Sequence, residues 1–111
     1  MSVQITQHNP NFATAPQIDP QDMAAIAAHG FTTVINNRPD GEGGPAQPTS
    51  AQMAAAAAAA GLSYHYLPVI SGQITPEQTQ QFAALVKAAT GPVLAFCRSG
   101  ARSTNIWSMG R

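Results

Sequence analysis

Pro92-Val93-Leu94-Ala95-Phe96-Cys97-Arg98-Ser99-Gly100-Ala101-Arg102-Ser103 reads as a buried strand that turns through a short loop into a helix. The strand is a continuous apolar run, the loop holds a glycine, and the polar stretch after it opens the last periodic segment. Cys97 is the chain's single cysteine, and it falls where a helix N-terminus leaves backbone N–H groups unpaired and presents its positive end. Two arginines in the same loop add charge that favours the thiolate over the thiol. Sequence alone therefore marks Cys97 as a nucleophile in an anion-binding loop.

Working outward, elements of both kinds alternate along the chain. Val3-Gln4-Ile5-Thr6 predicts a short strand followed by a Pro/Asn-rich connection. Asp19-Pro20 opens a helix whose face is Met23, Ile26 and Ala27 and which Gly30 ends. A β-branched strand covers 32–36. The loop over 37–48 carries Gly41, Gly43, Gly44, Pro39, Pro45 and Pro48, a composition suited to a mobile or ligand-facing segment. The alanine tract predicts a helix over 50–61, and the next strand covers 63–69. Thr75-Pro76-Glu77-Gln78 repeats an N-cap signature ahead of Phe82, Leu85, Val86 and Ala89. Residues 102–109, with Ile106 and Trp107, form the closing helix. Such alternation predicts an α/β, three-layer fold with a mostly parallel central sheet of about four strands and helices on both faces.

Composition sets the frame. The 111 residues suit one domain over 1–111, with a core that needs neither disulfide nor structural metal. Only nine residues follow Arg102, so the closing helix is short, which leaves open either a truncated C-terminus or contact with a partner chain. Charged residues make up 9% of the chain and the net charge is zero, which argues against a nucleic-acid partner. The N-terminus has no basic, apolar leader pattern, and residues 51–60 are too few to span a bilayer. A cytoplasmic protein without membrane contact is expected. His8, His29 and His65 lack metal-ligand spacing, and no nucleotide-binding fingerprint occurs, so neither metal nor cofactor is expected. Oligomeric state stays open.

Three stretches together carry a resemblance: Ile35-Asn36-Asn37-Arg38-Pro39-Asp40-Gly41-Glu42, Tyr64-His65-Tyr66-Leu67-Pro68-Val69, and Cys97-Arg98-Ser99-Gly100-Ala101-Arg102-Ser103. Over nearly its whole length the chain resembles the phosphatase-like domain family of bacterial beta-lactamase-hydrolase-like proteins. The resemblance implies a dual-specificity-phosphatase-like fold. Members are described as phosphatases, others as sulfurtransferases, and some occur with sulfide-oxidation enzymes, which makes such an enzyme a candidate partner. Three departures from the tyrosine-phosphatase pattern bear on the chemistry. Four residues separate Cys97 from Arg102, one fewer than in that signature, as in a rhodanese loop. Phe96 stands where the signature has histidine. Ile70-Ser71-Gly72 stands where an aspartate general acid is usual.

These departures favour a cysteine-dependent sulfurtransferase, moving sulfane sulfur from thiosulfate or a persulfide through a Cys97 persulfide. The alternative is a cysteine-dependent phosphatase acting through a Cys97 phosphocysteine, and a third reading is an anion sensor without turnover. In all of them the partner is a small anion: thiosulfate, persulfide or phosphate ester. The expected catalytic set is Cys97 as covalent carrier, Arg102 on the anionic oxygens, Ser103 as a hydroxyl donor to the thiolate or a helix cap, and Asp40 as the acid a phosphatase would need. Arg98, Ser99, Gly100 and Ala101 line the anion, the last three through backbone, although Arg98 also suits a surface ion pair. Arg38 either binds substrate or pairs with Asp40. Glu42 is the other carboxylate of that loop.

Overall fold

The strand ahead of Cys97 lies at the centre of the sheet. In the computed structural model, which describes residues 3–111, it is β5 (Val93–Phe96), flanked in parallel by β2 (Phe12–Ala15) and β3 (Thr33–Asn36). β3 pairs in parallel with β4 (Ser63–Tyr66), and β1 (Thr6–Asn9) adds antiparallel to β2, giving the order β1-β2-β5-β3-β4. All four residues of β5 are buried. That is why its sequence is uniformly apolar rather than alternating: helices cover both faces of a parallel strand.

Each face has its own core. Ala13, Val34, Leu94 and Phe96 point to the layer of α1 (Met23–Ala28) and α2 (Ser50–Ala59), where they meet Met23, Ile26, Met53 and Ala57. Phe12, Ile35, Val93 and Ala95 point the other way, to Phe82 of α3 (Pro76–Ala88) and Ile106 of α4 (Ala101–Met109). The three-layer α/β class read from the sequence is the one observed. Side chains such as Leu94 and Phe96, wholly removed from water, stabilise the sheet by about 1.5–3 kcal/mol each.

The sheet has five strands where about four were expected. The N-terminal strand begins at Thr6, and the segment read as a connection contains β2. Phe-Ala-Thr-Ala mixes two strand formers with two alanines and shows no alternation. Burial on both faces beside β5 makes it a strand, and Pro10 and Asn11 form the turn of a hairpin in which the Asn11 N–H donates to Asn9 Oδ1 at 2.8 Å. β4 stops at Tyr66, three residues short of expectation. Pro68 has no N–H, yet Leu67 and Val69 still donate to the Asn36 and Asn37 carbonyls at 2.9 and 3.0 Å.

Helix starts follow their caps. Thr49 and Thr75 accept from the N–H groups of Gln52 and Gln78, both at 3.1 Å, and each glutamine side chain returns a bond to its cap. Asp19 leads instead into a 3₁₀ turn, Pro20–Asp22, before α1. Among the described residues no helix is long and apolar enough to cross a membrane. Met1 and Ser2, part of the leader reading, lie outside the described residues.

The connectivity places the site. The chain leaves β3 for α2 on one face and leaves β5 for α4 on the other, so a crevice opens where the loops after these two neighbouring strands diverge. The Arg38–Glu42 loop and the Cys97–Arg102 loop border it.

Candidate active site

Gly100 shapes the Cys97 loop. It adopts φ +91°, a left-handed conformation that costs little without a β-carbon, and its N–H donates to Cys97 Sγ at 3.1 Å. Burial pushes the Cys97 thiol up, and backbone N–H groups of Ser103, Ser99, Arg102 and Gly100 outweigh that effect, so the thiol is held below its ordinary value of 9.0. The loop thus stabilises a thiolate with backbone dipoles. Cys97 is also wholly buried.

Arg102, itself 8% exposed, is held from three sides. Its Nη1 donates to Glu42 Oε2 at 2.7 Å and to the Val69 carbonyl at 3.0 Å, and its Nη2 donates to Glu42 Oε1 at 2.7 Å. This end-on, two-point pairing fixes the plane of the guanidinium. Glu42 in turn accepts from Arg38 Nε at 2.9 Å, and Arg38 Nη1 donates to Gln17 Oε1 at 3.1 Å. Hydrogen bonds from Arg102 are the largest influence on Glu42; burial opposes them, Arg38 adds to them, and the carboxyl falls from 4.5 to about 2. Arg102 is raised chiefly by Glu42 and further by the charge and proximity of Cys97.

Arg38, Glu42, Gly43, Ser71, Arg98 and Arg102 line a cleft of about 620 Å³. Three arginines against one carboxylate leave it positive, as an anion site requires. Arg98 is exposed and forms no salt bridge among the described residues. No cluster of three or more metal-ligating side chains occurs among the described residues.

Several expected roles are relocated. Asp40 does not line the cleft: its Oδ1 accepts from the Ser50 N–H at the start of α2, at 2.7 Å. A carboxylate at a helix N-terminus satisfies an orphan N–H and the dipole, and that anchors Asp40 away from Arg38, which pairs with Glu42 instead. The Ser103 hydroxyl donates to Asn37 Oδ1 at 2.8 Å rather than to the thiolate, and Ser103 serves Cys97 through its backbone N–H. Ser99 accepts from the Ala101 N–H at 3.3 Å, and Ala101 begins α4.

Three residues of the site went unread. Asn37, wholly buried, joins α4 to the strand ends: it accepts from Ser103, donates to the Leu67 carbonyl at 2.9 Å, and its N–H reaches the Phe96 carbonyl at 2.8 Å. Tyr66 accepts from the Asp40 N–H at 2.8 Å and so holds the 37–48 loop, while Tyr64 shares its hydroxyl with Ser50 at the start of α2 at 2.9 Å and accepts from Asn36 Nδ2 at 3.0 Å. Among sequence signals, only the Asn36-Asn37 pair at the end of a strand hinted at such a role.

The sequence pattern of the phosphatase-like domain of beta-lactamase hydrolase-like proteins matches residues 4–111. The chain belongs to this family. A beta-lactamase hydrolase-like protein of Agrobacterium fabrum is 39% identical over 89 residues, covering 80% of this chain and 20% of that protein. Its Xylella fastidiosa counterpart is 35% identical over 107 residues, covering 96% and 25%. The chain thus spans a quarter or less of the length of these family members. Among solved structures, one from Neisseria meningitidis, described as a candidate phosphatase, superposes with a TM-score of 0.84 at 34% identity, covering 91% of this chain and 71% of that one. TpbA of Pseudomonas aeruginosa, solved as a cysteine-to-serine variant with phosphotyrosine, shares the fold at a TM-score of 0.71 and 18% identity, covering 95% and 60%. The family is thus phosphatase-like in fold and description. These matches favour the phosphatase alternative, and none of them carries the sulfur-transfer expectation.

Proposed function

We propose that the chain is a cysteine-dependent phosphatase domain whose Cys97 thiolate attacks the phosphorus of a small anionic phosphate compound. The observation that carries this reading is the thiolate cradle beside an arginine-lined cleft, with Arg102 fixed by Glu42, in a chain of a phosphatase-like family. Arg102 still has its Nε–H and one Nη2–H beyond the three bonds it makes. Those donors, with Arg98 and the loop N–H groups, neutralise the equatorial oxygens as the P–S bond forms and the leaving group departs. Water then attacks the phosphocysteine, the thiolate leaves, and phosphate is released.

One feature favours a second reading, sulfur transfer: the four-residue spacing between Cys97 and Arg102 makes a tight ring around Sγ. Parallel assays separate the two. Hydrolysis of an aryl phosphate with an acidic phenol, lost in Cys97→Ser and accompanied by a phosphoryl adduct on Cys97, is expected. Sulfite release from thiosulfate with one extra sulfur on Cys97, and no phosphate release, would establish the sulfurtransferase instead.

A further inference from the structure

The cleft has an unusual composition for a site that must expel an alkoxide. Its only lining carboxylate is Glu42, and both oxygens of that group accept: Oε1 from Arg38 Nε at 2.9 Å and from Arg102 Nη2 at 2.7 Å, Oε2 from Arg102 Nη1 at 2.7 Å. A carboxylate accepting three charge-assisted bonds from two guanidinium groups carries no proton to give. Asp40, the other carboxylate of the loop, is spent on the N–H of Ser50. The remaining lining groups are arginines, which keep their protons at any physiological pH, Gly43, and the weakly acidic Ser71 hydroxyl.

A positioned general acid contributes typically about 10²–10⁴-fold when the leaving oxygen is basic. A leaving group that is already a stable anion needs none. From this arrangement we infer that the site acts on phosphoryl groups attached to a weakly basic leaving atom, the acyl phosphate (carboxylic–phosphoric anhydride) class, rather than on alkyl phosphates such as phosphoserine. The inference rests on the phosphatase reading above and narrows its substrate.

The steps balance without a proton donor in the protein. The Cys97 thiolate forms the S–P bond as the P–O bond to the acyl oxygen breaks, and the carboxylate leaves with the bonding pair. A carboxylate of pKa about 4 departs unprotonated at neutral pH, whereas a phenolate of pKa about 10 or an alkoxide departs with difficulty. Water next forms the new P–O bond while the S–P bond breaks. Thiolate is regenerated, and the phosphate leaves as the monoanion, carrying both protons of the water.

The test is a leaving-group series on the intact chain, with Cys97→Ser subtracted as the measure of spontaneous hydrolysis. Acetyl phosphate, aryl phosphates with phenols of graded acidity, and phosphoserine are the probes. We expect kcat/KM to fall steeply across the aryl series, by roughly 100-fold or more between phenols of pKa about 7 and about 10, the span a positioned acid would otherwise level. Acetyl phosphate should be turned over and phosphoserine should not. A flat series, or phosphoserine hydrolysed as fast as the most acidic aryl ester, would overturn the inference and leave the phosphatase standing. Failure of every probe to show Cys97-dependent hydrolysis would remove the phosphatase reading, and the substrate class with it.

Discussion

Replacing Glu42 with glutamine keeps the shape of the group that orients Arg102 and removes its charge. In the wild type the carboxyl lies at about 2 instead of 4.5, held there first by the Arg102 hydrogen bonds. A displacement of about 2.5 pH units at about 1.36 kcal/mol each sets a ceiling of about 3.4 kcal/mol on what ionisation of Glu42 adds to folding. Its side chain keeps 31% of its surface accessible, so solvent screening brings the expected loss to about 1–2 kcal/mol. The sign follows from the depressed value. The stabilisation is fully present above the unfolded-state value of 4.5, declines as the pH falls, and is gone below about 2. Urea unfolding of wild type and Glu42→Gln at pH 7 should therefore show the gap, and the same pair at pH 3 should show it reduced by more than half. An equal gap at both pH values, or none at pH 7, would refute the account of Glu42 as the ionised anchor of Arg102.

Three other variants probe the site's supports. Asp40→Asn, which weakens the charge on the α2 N-terminus, should cost about 0.5–1 kcal/mol in a thermal melt and leave unchanged the hydrolysis of an aryl phosphate whose phenol has a pKa of about 10, the substrate that would need an acid. A loss of activity greater than its loss of folded protein would return Asp40 to the reacting centre. Asn37→Ala strands the buried Ser103 hydroxyl and the Leu67 carbonyl, and urea unfolding should register a loss of about 2–3 kcal/mol. Gly100→Ala forces a β-carbon into φ +91°, 3.4 Å from the Ala15 backbone; a cost of about 1–2 kcal/mol is expected, together with slower alkylation of Cys97 as the thiolate loses its N–H partner. Alkylation at the wild-type rate would show that Gly100 does not shape the cradle.

What the sequence made legible was whatever is encoded locally. Thr75-Pro76-Glu77-Gln78 announced α3 because a cap is a contact between neighbours, and the Cys97 loop was readable because its donors are consecutive backbone groups. β2 was missed for the opposite reason: Phe12–Ala15 is a strand only because β5 and β1 lie on either side of it. The two carboxylates of the 37–48 loop are two positions apart and equally acidic on paper. Tyr66 and Ser50, distant in sequence, take hold of Asp40, while Glu42 faces the two arginines. Arg38 and Glu42 at i,i+4 was a usable signal, obscured by the glycines around it. Asn37 offered less, since its partners come from two other parts of the chain.

The placing of β5 reaches beyond geometry. With neighbours paired on both sides and helices over both faces, the amides of Val93–Phe96 should exchange with solvent only when the whole fold opens, while those of the edge strands β1 and β4 exchange through cheaper local openings. The nucleophile therefore hangs from the slowest-exchanging part of the molecule. Fraying at the β1 edge leaves the cradle intact, whereas opening at the β4 edge frees Asp40 from Tyr66 and loosens the Leu67–Val69 stretch that Asn37 and Arg102 bond, so thermal inactivation should begin from that edge, ahead of global unfolding.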